Sequence, residues 1–275
     1  MRRLFALLLV LLVGCSHDQA APEPASGKLR IVSLTPSATE VIAALGATDT
    51  LVGVDSYSTY PPEVAALPKV GSFLAPNLET IVRLRPSLVI VDDVHDQAAG
   101  ALRDARIETL ACPMHGLPDV KQALRNVGAR LGRAQDAARA IAALDAALDA
   151  AAAARPARRP RVLAIIDREA GGLGSLVAAG PGSWIDELLA VVGGENVLAG
   201  AGVRYPKISM EEVLRGQPEV ILDLSYAARA GLEPWQAAAV PATKSGRVVA
   251  LTDAYLTAPS PRVQQALEAV AKAIR

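Results

Sequence analysis

The sequence predicts an α/β fold of two Rossmann-like lobes joined by a single long backbone helix. Three observations predict it. Apolar runs of strand length alternate with helical segments, one helix–strand pattern recurs at an offset of 132 residues, and an unbroken alanine-rich helix separates the two copies.

The opening residues read as an export signal. Met1-Arg2-Arg3 is basic and residues 4–13 are apolar, a run too short for a membrane-spanning helix, which needs ~20 residues. Its Leu-Val-Gly-Cys ending resembles a bacterial lipobox, in which the cysteine, here Cys15, becomes the acylated N-terminus. A lipoprotein signal peptide is therefore expected over 1–15, with the mature chain in the periplasm or cell envelope and lipid-anchored to a membrane. Residues 16–28 are small, polar and proline-bearing, and read as a flexible leash.

Beyond the leash, buried strands are predicted at 29–34, 51–55, 88–92, 107–112, 161–166, 220–224 and 247–251. Helices are predicted between them at 38–45, 78–85, 97–105, 185–192, 210–215 and 261–274. Apolar strands alternating with helices argue for parallel sheets covered on both faces. Residues 135–155 combine alanine, leucine and charged residues with no breaker, and predict a helix ~30 Å long that braces one lobe against the other. The resulting organisation is an N-terminal lobe over 29–133, a backbone helix over 134–156 and a C-terminal lobe over 157–275.

The repeat supports two lobes of related design. Asn77-Leu-Glu79-Thr-Ile-Val-Arg83 and Ser209-Met-Glu211-Glu-Val-Leu-Arg215 each give a capping residue, then a Glu, then an Arg four places on. Each is followed by a proline, Pro86 or Pro218, and a buried strand.

Composition narrows the function. The chain has 28 basic and 28 acidic residues, and losing Arg2 and Arg3 with the signal leaves it weakly acidic, so nucleic acid is not an expected partner. With Cys15 acylated, Cys112 has no cysteine to pair with, and the core must hold the fold without a disulfide. Tyr57, Tyr60, Tyr226 and Tyr255 fall just past strand ends and Trp184 opens a helix. Ligands of open parallel sheets bind outside the carboxyl ends of the strands, so these aromatics suggest a bulky, flat partner. Pro61-Pro62 stiffens the loop that carries Tyr57 and Tyr60.

These residues resemble the substrate-binding proteins of bacterial ABC importers for cobalamin, haem and ferric siderophores. The resemblance runs from Arg30 to the C-terminus. It rests on Arg30-Ile-Val-Ser-Leu-Thr-Pro-Ser-Ala-Thr-Glu40, Gly53-Val-Asp-Ser-Tyr-Ser-Thr-Tyr-Pro-Pro62, Gly180-Pro-Gly-Ser-Trp-Ile-Asp-Glu187 and Pro259-Ser-Pro-Arg262. The 53–62 loop is most similar to the cobalamin-binding branch. The resemblance implies a ligand cleft between the lobes, no enzyme activity and no resident cofactor. It implies a corrinoid ligand, with haem or a ferric siderophore as the alternative, and an ABC permease and ATPase complex as partner; the protein is expected to be a monomer.

The ligand-binding residues it implies are Tyr57, Tyr60, Phe73, Tyr205 and Asp253. Phe73 and Tyr205 stand where that branch often has tryptophan, and Asp92, Asp93 and Asp167 fall near positions that can be aromatic there, so a less aromatic cleft is expected. Glu79 and Glu211 match the pair of carboxylates, one per lobe, that dock on permease arginines. Alternatively they stabilise their helices, since an acidic first turn favours the macrodipole by ~0.3–1 kcal/mol. Glu212 is expected to complete a capping box with Ser209.

Other chemistry is sparse. His95, beyond the strand at 88–92, is a candidate ligand to the metal of a haem or corrinoid, or else a solvated loop histidine. His115 lies close in sequence to Cys112 and Met114, but the three lack a recognised metal spacing. Gly171-Gly-Leu-Gly lacks the full dinucleotide fingerprint, and no nucleophile or zinc-protease motif occurs. An extracytoplasmic enzyme on a two-lobed scaffold is the remaining alternative, for which no catalytic set can be assembled.

Overall fold

The computed structural model describes residues 29–275, so the readings made for Cys15, the signal and the leash lie outside the described residues. The N-terminal half contains β1 (Ile31–Ser33), α1 (Pro36–Ala44), β2 (Leu51–Val54), β3 (Gly71–Ser72), β4 (Ala75–Pro76), α2 (Leu78–Arg83), β5 (Leu88–Val91), α3 (Asp96–Asp104), β6 (Glu108–Ala111) and α4 (Leu117–Arg130). The long helix α5 spans Ala134–Ala153. The C-terminal half contains β7 (Arg161–Arg168), β8 (Leu176–Ala178), α6 (Trp184–Val192), β9 (Glu195–Asn196), β10 (Lys207–Ile208), α7 (Met210–Gly216), β11 (Val220–Asp223), α8 (Pro241–Lys244), β12 (Val248–Ala250), α9 (Ala254–Thr257) and α10 (Val263–Ile274).

Each half has its own sheet. The first is parallel in the order β2-β1-β5-β6; the second runs β10-β8-β7-β11-β12, with β9 also paired to β7. All-parallel sheets are the sequence expectation, but β8 runs antiparallel to β7 and to β10. The linker from β7 to β8 covers only 169–175, too short for the crossover a parallel return demands, so the chain must double back.

Alternation along the strands sends side chains to both faces. Ile31, Leu88 and Ile90 of the first sheet join Val162, Ala164, Val220 and Leu222 of the second in one continuous core, with α1, α4, α6 and α10 packed into it. The opposite faces carry separate clusters, one built on Val32, Val89 and Val91, the other on Leu163, Ile165 and Trp235. The two lobes thus share apolar packing around α5, whose Ala137 and Leu144 are buried in the common core. Among the described residues no helix is long and apolar enough to cross a membrane.

Helix α4 is absent from the sequence reading, because Gly116 and Pro118 at its start and Gly128 near its end look like breakers. Pro118 sits in the first turn, where its missing N–H removes no helical bond. Gly128 is required by packing: a Cβ there would lie 2.7 Å from Cβ of Ala137 on α5. Gly128→Val is therefore expected to destabilise the protein by about 1–3 kcal/mol through overpacking. Urea unfolding tests this, and an unchanged midpoint would show that the two helices separate freely.

The 132-residue repeat extends to the backbone. Asn77 and Ser209 cap α2 and α7 through the N–H groups of Thr80 and Glu212. Arg85 and Gln217, the residues before the two prolines, both have left-handed φ values, 47° and 41°.

Candidate functional site

The carboxyl end of β2 leads into the loop that carries Tyr57 and Tyr60. Asp55, buried at the strand end, shapes it: its Oδ2 accepts the N–H of Tyr57 at 2.8 Å and its Oδ1 accepts the hydroxyl of Ser58. Ser58 also bonds Thr39 of α1 at 2.8 Å, and Lys69 Nζ donates to the Ser58 carbonyl at 2.7 Å. Burial raises the Asp55 carboxyl above its ordinary value, while the bonds from Ser58 and Tyr57 oppose that rise. The loop is pinned beneath, and its two tyrosine rings remain exposed, 65% for Tyr57 and 40% for Tyr60.

These rings face the other lobe across a cavity of about 220 Å³, lined by Ser37, Glu40, Tyr57 and Tyr60 on one side and by Arg229, Thr252, Thr257 and Arg262 on the other. A second cavity, also about 220 Å³, adjoins it at Thr257 and is lined by Ile166, Trp184, Tyr205, Leu224 and Leu256. Trp184 is buried, and its indole Nε1 has no acceptor. Burial raises the Tyr205 phenol above its usual value. A wider groove of about 780 Å³ between α5 and α10 lies away from the strand ends and is lined mostly by alanine.

Two polar contacts join the lobes beside these cavities. Arg262 holds Glu40 through Nε and Nη2, with Nε 2.8 Å from Oε2, and its guanidinium lies 4.1 Å from the Tyr60 ring centre and 5.4 Å from that of Tyr255. Glu187 of α6 accepts the N–H of Leu117, the first residue of α4, at 2.5 Å. Gly116 at that helix start leaves room for it, since a Cβ would stand 2.7 Å from Glu187 Oε1. A carboxylate from one lobe thus meets the positive end of a helix in the other.

Of the sequence-predicted ligand residues, Tyr57, Tyr60 and Tyr205 line these cavities, and Phe73, His95 and Asp253 do not. His95 is neither a solvated histidine nor one with a nitrogen to spare. It is buried, its Nδ1 accepts the Asp92 N–H at 2.9 Å, and its Nε2 is 2.6 Å from the Phe73 carbonyl. The proton must then sit on Nε2, so both nitrogens are occupied and neither is available to a metal. The imidazole instead ties the turn after β5 to the β3–β4 hairpin, with the Phe73 ring edge-on at 5.3 Å. Asp253 is exposed beside the cavity and interacts with Tyr255, whose phenol is raised by burial and by this carboxylate.

His115 groups differently from its sequence neighbours. Its Nε2 lies 2.9 Å from Asp93 Oδ2, while Cys112 is buried with its thiol pushed up to about 12 by burial. Burial and the adjacent Asp93 push Asp92 up to about 7; hydrogen bonds from Asp92 and His115 hold Asp93 down at about 2. Arg262 was present in the Pro-Ser-Pro-Arg motif, but nothing in the sequence marked Arg229 as a cavity residue.

Glu79 and Glu211 lie far out on α2 and α7, 89% and 79% exposed. Glu211 is paired with Arg215 at 2.8 Å, and Glu79 stands 4.0 Å from Arg83 in the matching arrangement. Glu212 closes the capping box with Ser209.

Two α/β lobes, one helical brace and a cleft at the strand ends define a protein that captures a small molecule between its halves. The chain belongs to the periplasmic binding protein family, which matches residues 31–255. That family consists of substrate-binding transport proteins that work with ABC importer permeases, which makes this chain a periplasmic binding component of such an importer. It is similar to the vitamin B12-binding protein of Vibrio cholerae, with 30% identity over 281 residues and 96% of each chain covered. Among solved structures it is similar to the periplasmic heme-binding protein RhuT from Roseiflexus sp. RS-1 in apo form, with TM-score 0.81, 32% identity, and 90% and 98% of the two chains covered. It is also similar to the periplasmic vitamin B12 binding protein BtuF of Vibrio cholerae, with TM-score 0.72, 28% identity, and 89% and 96% covered.

Proposed function

We propose that this protein captures cobalamin or a related corrinoid between its lobes and delivers it to the permease of an ABC importer. The observation that carries this reading is the aromatic lining of two adjoining cavities at the seam of the lobes: Tyr57 and Tyr60 in one, Trp184 and Tyr205 in the other. A corrinoid offers a large apolar ring bordered by amide groups. The exposed rings of Tyr57, Tyr60 and Tyr205 can cover its faces. Its cobalt needs no donor from the protein, in keeping with a His95 whose nitrogens are both occupied.

Haem is the second reading, favoured by the likeness to RhuT and by exposed phenols able to ligate iron. Calorimetry separates the two. Cyanocobalamin is expected to bind with sub-micromolar affinity, and Tyr57→Ala or Tyr205→Ala to weaken it about tenfold each, ~1.4 kcal/mol. Clear binding of haemin with no heat from any corrinoid would move the assignment to haem.

In this reading residues 29–133 and 157–275 are the two capturing lobes and 134–156 the brace. Cys15 carries the lipid that tethers the mature chain to a membrane, the leash at 16–28 gives it reach, and the protein acts as a monomer with Glu79 and Glu211 facing the permease.

A further inference from the structure

The turns after β5 and β6 meet at the carboxyl ends of their strands and bring Asp92, Asp93 and His115 together, one donor atom of each lying within 4.8 Å of the others. Two facts separate this cluster from ordinary surface acidity. Asp92 is only 5% exposed, and its buried Oδ1 has no hydrogen-bond donor. A buried acceptor left in that way is costly, on the order of 1–3 kcal/mol. Its neighbour Asp93 is a second carboxylate, which accepts a hydrogen bond from Asp92 and offers no donor to that Oδ1.

Both penalties call for positive charge between the two carboxyls. We propose that Asp92, Asp93 and His115 form a binding site for a divalent transition-metal cation, of the zinc or manganese class. Two carboxylates neutralise the ion. The imidazole selects against calcium and magnesium, which take oxygen ligands. Three protein donors leave further positions to water, the pattern of an open site. The spacing is already suitable: two donors ~2.1 Å from one metal and at right angles stand ~3.0 Å apart, and His115 Nε2 lies 2.9 Å from Asp93 Oδ2. The ion would replace the hydrogen between those two atoms and supply Asp92 with its missing partner.

The position gives the site a structural consequence. Asp92 begins the turn whose His95 holds the Phe73 hairpin, and His115 precedes the Gly116–Leu117 step that contacts Glu187 of the other lobe. A bound cation would fasten these two turns to each other beside the seam between the lobes.

Calorimetry on the full chain, stripped with a chelator and dialysed, tests the proposal with zinc chloride and manganese chloride as probes. One saturable site per chain is expected for at least one of the two ions. Asp93→Asn and His115→Ala should each weaken it about tenfold or more. Both side chains are substantially exposed, so the thermal midpoint of the metal-free variants is expected to match the parent and to exclude misfolding as the cause. Absence of saturable binding by either ion overturns the proposal, as does binding that neither substitution weakens.

Discussion

Reversing both Glu79 and Glu211 to Lys is expected to abolish uptake while leaving ligand affinity within about twofold. The two carboxylates occupy equivalent places on equivalent helices and are almost fully solvated. Neither lines a cavity between the lobes. Their pairs with Arg83 and Arg215 are exposed i,i+4 contacts, which contribute only ~0.3–0.5 kcal/mol, so the fold should survive the change. Two such charges, one per lobe, suit a partner that engages both lobes together, and opposite charges would repel the same basic surface. Measuring corrinoid uptake in cells that depend on this protein, beside calorimetry on the purified variant, separates docking from capture. Normal uptake by the double variant would restrict both residues to helix stabilisation.

The largest loss of stability is expected from Asp223→Ala. Arg168 at the end of β7 and Asp223 at the end of β11 are paired at 2.7 Å with side chains 1% and 0% exposed. The Asp223 carboxylate also accepts the Trp235 indole N–H at 2.8 Å and the Ser225 hydroxyl at 2.6 Å. Arg168 reaches the Gly231 carbonyl at 2.7 Å. Removing the carboxylate leaves a guanidinium buried without its counter-ion and an indole without an acceptor, at a cost of about 3–5 kcal/mol. The double variant Arg168→Met, Asp223→Leu is expected to lose less, because it strands no charge. Urea unfolding of both variants checks the order, and a single variant as stable as the double would contradict it. The network also bears on the cleft, since Ser225 caps the short turn at Tyr226–Arg229 that brings Arg229 to the cavity wall.

The elements legible in the sequence were those with a strong local signal. Buried strands such as Leu88–Val91 and capped helices such as Ser209 followed by Met210–Gly216 announce themselves through apolar runs and hydrogen-bonding residues at fixed offsets. Helix α4 was hidden because Gly128 answers to a neighbour, Ala137, and local propensity counts it only as a breaker. The direction of β8 depends on what a short linker can span, and β7 runs two residues past the expected 161–166 because Asp223, 55 residues on, neutralises Arg168. In the site, Tyr57 and Tyr60 could be placed from their position after a strand on a proline-stiffened loop, and Tyr205 from the family resemblance alone. The occupied nitrogens of His95 and the link from Arg262 to Glu40 arise only once distant segments are folded together, and sequence spacing carries no record of them.

The separation of the two sheets has a consequence for biogenesis. All four strands of the first lie between residues 31 and 111, and all six of the second between 161 and 250, so neither borrows a strand from the other. The leading half can therefore complete its pairing while the trailing half is still being synthesised, and no strand waits unpaired for a late partner to arrive from the far end of the chain.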